Sequence, residues 1–164
     1  MSAALLSAYP FNQQSTAHAG VACLYPLHET ALLNIRGKDA AKFMQGQMTA
    51  HIQEISPQQW RRGANCTAKG RMINSFTLLQ ENTDEPSYLL AMQQDLVTSS
   101  LEHLKKYAVF FKTSLSAAPD WVLLGAHGPE LAPHLSHFWP HIPEDACAVV
   151  QNDIGCLLRM DIAD

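Results

Sequence analysis

The sequence predicts an α+β protein in which antiparallel sheets carry packed helices. Three observations lead there. Strand-length runs follow one another at residues 59–67, 71–80 and 87–92, parted by turn signals, as consecutive hairpins require. Two stretches, starting near residues 40 and 95, place apolar side chains at helical spacing. The chain has 164 residues, 47% hydrophobic and 16% charged, which suits one domain or two small ones around a shared core.

In chain order, residues 1–19 are small, polar and turn-rich and read as a flexible N-terminal arm. Residues 20–27 and 30–35 are apolar runs parted by His28 and Glu29, which reads as a hairpin. Asp39 is placed to cap a helix over residues 40–47, its carboxylate accepting from first-turn amides. Ala40, Phe43, Met44 and Met48 form that helix's apolar stripe, with Gln45 and Gln47 off it. Residues 68–70 form a turn between the next two strands, and residues 81–86 a polar loop. Asp95 opens a second helix with Val97, Leu101, Leu104 and Ala108 on one face. Lys105 and Lys106 fall in its last turns, where positive charge complements the helix dipole. Residues 109–116 return to strand character.

Past a connector at 117–119, residues 121–126 read as a strand. A third helix follows, with Leu131, Leu135 and Phe138 on one stripe and Pro140 and Pro143 ending it. Residues 147–151 and 156–162 read as a strand pair. Strand, helix, strand, strand is most of a ferredoxin-like unit, a split βαβ arrangement. The expected division is therefore an arm at 1–19, a main region at 20–116, and this partial unit at 117–164. The unit lacks a closing helix and strand, so the sequence reads as truncated. Apolar surface left uncovered would then favour self-association or domain swapping.

The net charge of −4 shows no basic surplus, so direct nucleic-acid contact is not expected, although Arg61, Arg62, Lys69 and Arg71 fall close together. Cys23, Cys66, Cys147 and Cys156 form no CxxC pair and match no zinc or iron–sulfur spacing. The N-terminus lacks the basic and apolar regions of a signal peptide, and no apolar run is long enough to span a membrane. A cytoplasmic location is the expectation.

No nucleophile elbow, Walker A loop, GxGxxG or HExxH pattern occurs. His134 and His137 lie one helical turn apart, but the Trp139–Pro140 break separates them from His141, and an exposed helix end reads better than a metal site. Lys69 beside Gly70 offers a cation on a turn that backbone or ligand can approach; an ordinary hairpin turn is the plainer reading. Gln45, Gln47, Thr49 and Asn65 offer amides and hydroxyls suited to a flat heterocycle such as a pterin, or to local capping.

Residues 33–49 (LNIRGKDAAKFMQGQMT), 65–72 (NCTAKGRM) and 104–112 (LKKYAVFFK) together resemble signatures of the YgfZ-type folate-binding proteins, in the family's order. The resemblance runs over roughly residues 24–162. It implies a fold like that of the glycine-cleavage T-protein, a tetrahydrofolate-dependent aminomethyltransferase. It also implies binding of tetrahydrofolate or a derivative, and support of iron–sulfur client enzymes and of the tRNA modification that depends on them. Carried over to this chain, the folate-binding residues would be Gln45, Thr49, Asn65, Lys69 and Tyr107, with Thr30 in the same region.

Three departures shape that implication. The family's later KGCxxGQE-type segment has no counterpart in residues 1–164. The T-protein's catalytic aspartate region matches residues 70–75, where Asn74 and Ser75 stand in place of carboxylates. An amide cannot supply the negative charge that stabilises a reacting amine, so the reading leans away from an enzyme. Thr30 stands about where some members carry a tryptophan, so stacking there is lost. A folate-binding accessory protein is the leading expectation. A one-carbon (aminomethyl) transferase and a non-catalytic interaction module are the alternatives.

Overall fold

A computed structural model of the chain describes residues 22–160; the expected arm at 1–19 lies outside the described residues. The centre is a five-stranded antiparallel sheet in the order β3-β4-β5-β2-β6. Its strands are β2 (Thr30–Arg36), β3 (Arg61–Cys66), β4 (Met72–Gln80), β5 (Ser87–Gln93) and β6 (Ser114–Ala117). The middle strand β5 is buried along Ser87, Tyr88, Leu89 and Leu90 because both of its faces are covered.

Strand alternation sorts the side chains into two cores. Leu33, Ile35, Phe76, Leu78, Tyr88, Leu90 and Met92 point to one face and pack against α1 (Ala40–Gln47) and α2 (Gln94–Ala108). Leu32, Leu79 and Leu89 point to the other face, where Trp60, Val149, Trp121, Leu123 and Leu158 cover them. Each fully buried Leu, Ile or Phe stabilises the fold by roughly 1.5–3 kcal/mol. The stripe Ala40, Phe43 and Met44 is buried as expected, with Met48 just past the helix end. On α2, Val97, Ser100, Leu104 and Ala108 are the buried positions.

Several expectations are corrected. The first two runs do not form a hairpin: β1 (Cys23–Pro26) pairs with β7 (Leu124–His127), while β2 lies between β5 and β6. Asp39 makes no side-chain cap; its carboxylate accepts from the Lys112 N–H at 2.8 Å. Residues 109–113 form a tight loop rather than strand, with Phe111 N–H donating to Ala108 O at 2.9 Å. The third helix, α3 (Leu131–Leu135), stops before Phe138, which is exposed.

The split βαβ arrangement occurs, but earlier in the chain than expected. Strands β5 and β6 both run antiparallel to β2, which sits between them, and α2 joins them. Residues 117–160 do not build one sheet: β7 pairs with β1, and β8 (Val149–Asn152) pairs with β9 (Gly155–Leu158). That last hairpin is held to the sheet by non-local bonds. Val149 N–H donates to Gln58 O at 2.8 Å, Trp60 Nε1 donates to Arg159 O at 2.7 Å, and Gln151 Nε2 donates to Gln80 O at 2.8 Å.

Candidate functional site

The segment leaving α1 is stitched onto edge strand β3. Thr49 N–H donates to Ala64 O at 2.9 Å, and Thr49 Oγ1 accepts from Ala64 N–H at 2.9 Å. Asn65 Nδ2 donates to Gln47 O at 2.6 Å, and Met48 forms a bridge opposite Asn65. Gln45 Oε1 accepts from Ile52 N–H at 2.9 Å and so fixes the short 3-10 turn Ile52–Glu54. Gln45, Thr49 and Asn65 therefore come together, and much of their polar chemistry is already engaged in joining α1 to the sheet.

Opposite Asn65 on β4 stands Asn74, in phase with Phe76 and Leu78 and so facing the helices. Asn65 is 1% exposed and Asn74 3%. Asn74 Nδ2 donates to Ser100 Oγ at 2.5 Å, and the Ser100 hydroxyl donates to Leu96 O at 2.5 Å. Both asparagine Oδ1 atoms are buried without a partner among the described residues. Buried acceptors of this kind call for a donor. Ser75 lies on the opposite face of β4 and is exposed, so the two positions matched to the T-protein's carboxylate region are split between the faces.

The β3–β4 turn carries Lys69 into solvent. Gly70 has φ +75°, the left-handed region that glycine takes without strain, and its N–H donates to Thr67 O at 2.9 Å. Tyr107 projects from the last turns of α2, half exposed, with its ring 5.2 Å from that of His103. Thr30 sits elsewhere, in a cleft of about 710 Å³ lined also by Leu27, Val97, Trp121 and Leu123. A second cleft, of about 350 Å³, is lined by Glu81, Asp120, Trp121, Gln151 and Cys156. Neither cleft is lined by Gln45, Asn65 or Lys69.

In the second cleft, burial pushes the Cys156 thiol up to about 11, and the nearby Glu81 charge adds to the shift. The Glu81 carboxylate accepts from Asn34 Nδ2 at 3.1 Å and from the Ser87 hydroxyl. This network holds β2, the β4–β5 loop and β5 together.

Sequence reasoning missed Ser100 and read Asn74 only as a missing carboxylate. The signal was available. Ser100 follows Val97 by three and precedes Leu104 by four, on the apolar stripe. Asn74 alternates in phase with Phe76 and Leu78.

No protein-family model matches the chain. Among curated proteins, it is 32% identical over 150 residues to the tRNA-modifying protein YgfZ of Klebsiella pneumoniae (strain 342), covering 92% of this chain and 45% of that protein. It is 33% identical over 147 residues to the YgfZ of Escherichia coli O7:K1, covering 89% and 44%. The chain thus spans a little under half the length of these relatives. Among solved structures, the glycine cleavage system aminomethyltransferase T of Bartonella henselae superposes with a TM-score of 0.64 at 18% identity, covering 73% of this chain and 32% of that one. That likeness establishes a T-protein-like fold.

Proposed function

We propose that this chain, similar to the YgfZ proteins over the length it spans and T-protein-like in fold, is the folate-binding part of a YgfZ-type protein that supports tRNA modification. The observation that carries the reading is the relatives' identity across nine-tenths of the chain, over segments joined in space at Thr49–Ala64 and Gln47–Asn65. The finer reading is a non-catalytic role that sustains iron–sulfur client enzymes through a bound tetrahydrofolate.

The residues fit a folate on one physical point. Asn65 Oδ1 and Asn74 Oδ1 are orphaned acceptors on one face of adjacent strands. The ring edge of a reduced pterin is rich in N–H donors. Lys69, exposed on its turn, offers a cation to the carboxylates of the glutamate tail. When bound, a reduced folate supplies a one-carbon carrier. This chain's own residues would bind and orient it, since the amide of Asn74 carries no charge to stabilise a reacting amine.

Titration calorimetry with tetrahydrofolate tests the proposal. Saturable binding that Asn65→Leu and Lys69→Ala each weaken is the expected result. No binding by the folded chain, or binding indifferent to both substitutions, would overturn it. Turnover of a glycine-derived aminomethyl group would move the reading to a transferase.

A further inference from the structure

We propose that the corner where α2 runs into β6 is a docking surface for single-stranded RNA. Val109 and Phe110 are 74% and 93% exposed there. A phenylalanine left so far in water adds almost nothing to the fold. Yet the backbone that carries it is firmly held. Lys112 N–H donates to Asp39 Oδ2 at 2.8 Å, Asp39 N–H donates to Lys112 O at 3.2 Å, and Thr113 N–H donates to Phe111 O at 2.9 Å. The neighbouring Phe111 ring turns inward onto Phe43, with centroids 5.4 Å apart. Phe110 is therefore displayed from a fixed support, with Tyr107 and its ring neighbour His103 one turn back on α2.

The same corner concentrates positive charge. Lys105 and Lys106 end α2, and Lys112 follows Phe111. Lys38 and Lys42 flank Asp39 and Phe43, the residues that hold the loop. Five of the chain's 11 Lys and Arg residues thus lie in the segments forming this corner. None of the five forms an ion pair among the described residues. The acidic groups on these segments are Asp39, whose carboxylate is engaged by the Lys112 amide, Glu102, one turn before Lys106, and Asp95 in the first turn of α2, at the helix end away from the corner. The chain's net charge of −4 conceals this surplus, and the proposal departs from the expectation drawn from that charge.

Exposed aromatic faces flanked by ammonium groups fit single-stranded nucleic acid, whose bases stack while its phosphates meet the lysines. An acidic peptide would answer the charge and leave the Phe110 face unused. A membrane surface calls for a longer apolar face than these few side chains supply. The choice of RNA over other nucleic acid rests on the tRNA-directed reading above.

Fluorescence anisotropy with a labelled single-stranded RNA oligonucleotide tests it, with tetrahydrofolate calorimetry on the same samples. Saturable binding is expected, weakened on the order of tenfold by Phe110→Ala. Combining Lys105→Ala with Lys106→Ala should flatten the slope of log affinity against log salt by about 0.7 per lysine. These side chains are exposed, so folding and folate binding should be unchanged. Absence of RNA binding, indifference to Phe110→Ala, or equal binding to anionic phospholipid vesicles or polyglutamate would overturn the proposal. Each of these would leave the folate reading to its own titration.

Discussion

Asn65 and Asn74 stand directly opposite each other on β3 and β4, and each keeps its Oδ1 buried without a hydrogen-bond partner among the described residues. Their Nδ2 groups are both used, one on Gln47 O and one on Ser100 Oγ. The pair is thus a buried polar spot in an otherwise apolar face, with two unmet acceptors. An unmet buried acceptor costs about 1–3 kcal/mol, so a donor that reaches either Oδ1 is favoured.

The first prediction concerns the charge of that pair. Asn74→Asp would place a carboxylate opposite Asn65 Oδ1 and remove the donor to Ser100. Burial with no cation beside it raises the carboxyl's folded-state pKa above its unfolded value of about 3.9. The variant should therefore match its parent most closely below that unfolded value. It should lose stability as pH rises through the folded pKa, by on the order of 3 kcal/mol at neutral pH. Urea midpoints of both proteins across that range check this; parallel curves would refute it.

A second prediction concerns the turn that supports the Phe110 corner. Gly37 has φ +132°, and a Cβ there would lie 2.4 Å from Lys112 O and 2.9 Å from Thr113 Cα, both backbone atoms. Neither can swing aside as a side chain would. Gly37→Ala should therefore destabilise the protein by about 2 kcal/mol or more. It should also loosen the 109–113 loop, so chymotrypsin should cut at Phe110 or Phe111 faster than in the parent. An unchanged urea midpoint and cleavage rate would show that the backbone relaxes at no cost.

What could be read from the sequence, and what could not, follows the distance over which each feature is decided. The stripes of α1 and α2 and the hairpins β3–β4–β5 were legible because their apolar period and their turns are local. The run that became β1 was seen as a strand, but its partner Cys23↔His127 lies far along the chain, and no local pattern points to it. Asp39 looked like a helix cap for the same reason: its actual donor, Lys112 N–H, is 73 residues away. At the candidate site, the amides of Gln45 and Asn65 were picked out for their chemistry. Their local partners, Ile52 N–H and Gln47 O, depend on how α1 leaves for the sheet.

Cys156 supplies a third prediction. Its thiol titrates near 11, against an ordinary 9.0, through burial and the Glu81 charge. The folded state therefore holds this proton more tightly than the unfolded one. The resulting stability is fully present below pH 9 and fades as pH climbs through about 11. At mildly alkaline pH, alkylation of Cys156, followed residue by residue by mass spectrometry, should lag far behind its rate in the unfolded chain. Glu81→Gln removes the charge and should quicken it. Native alkylation as fast as in urea would contradict the burial argument.

The last prediction separates residues that hold the fold from residues free to hold a ligand. Thr49 and Lys69 were singled out together as folate contacts, yet their surroundings differ. Thr49 Oγ1 is the acceptor for Ala64 N–H on edge strand β3, and its own amide bonds Ala64 O. Thr49→Ala should cost about 1 kcal/mol of stability, and it should reduce folate affinity only as far as β3 shifts. Lys69 is exposed on a turn whose shape is set by Gly70 and Thr67, and it makes no ion pair among the described residues. Lys69→Ala should leave the urea midpoint within about 0.5 kcal/mol of the parent. It should weaken tetrahydrofolate binding severalfold, and the loss should shrink as salt screens the charge on the glutamate tail. If Lys69→Ala leaves binding intact at low salt, the lysine is an ordinary turn residue. The contacts would then have to come from the other residues carried over with it, Asn65 among them.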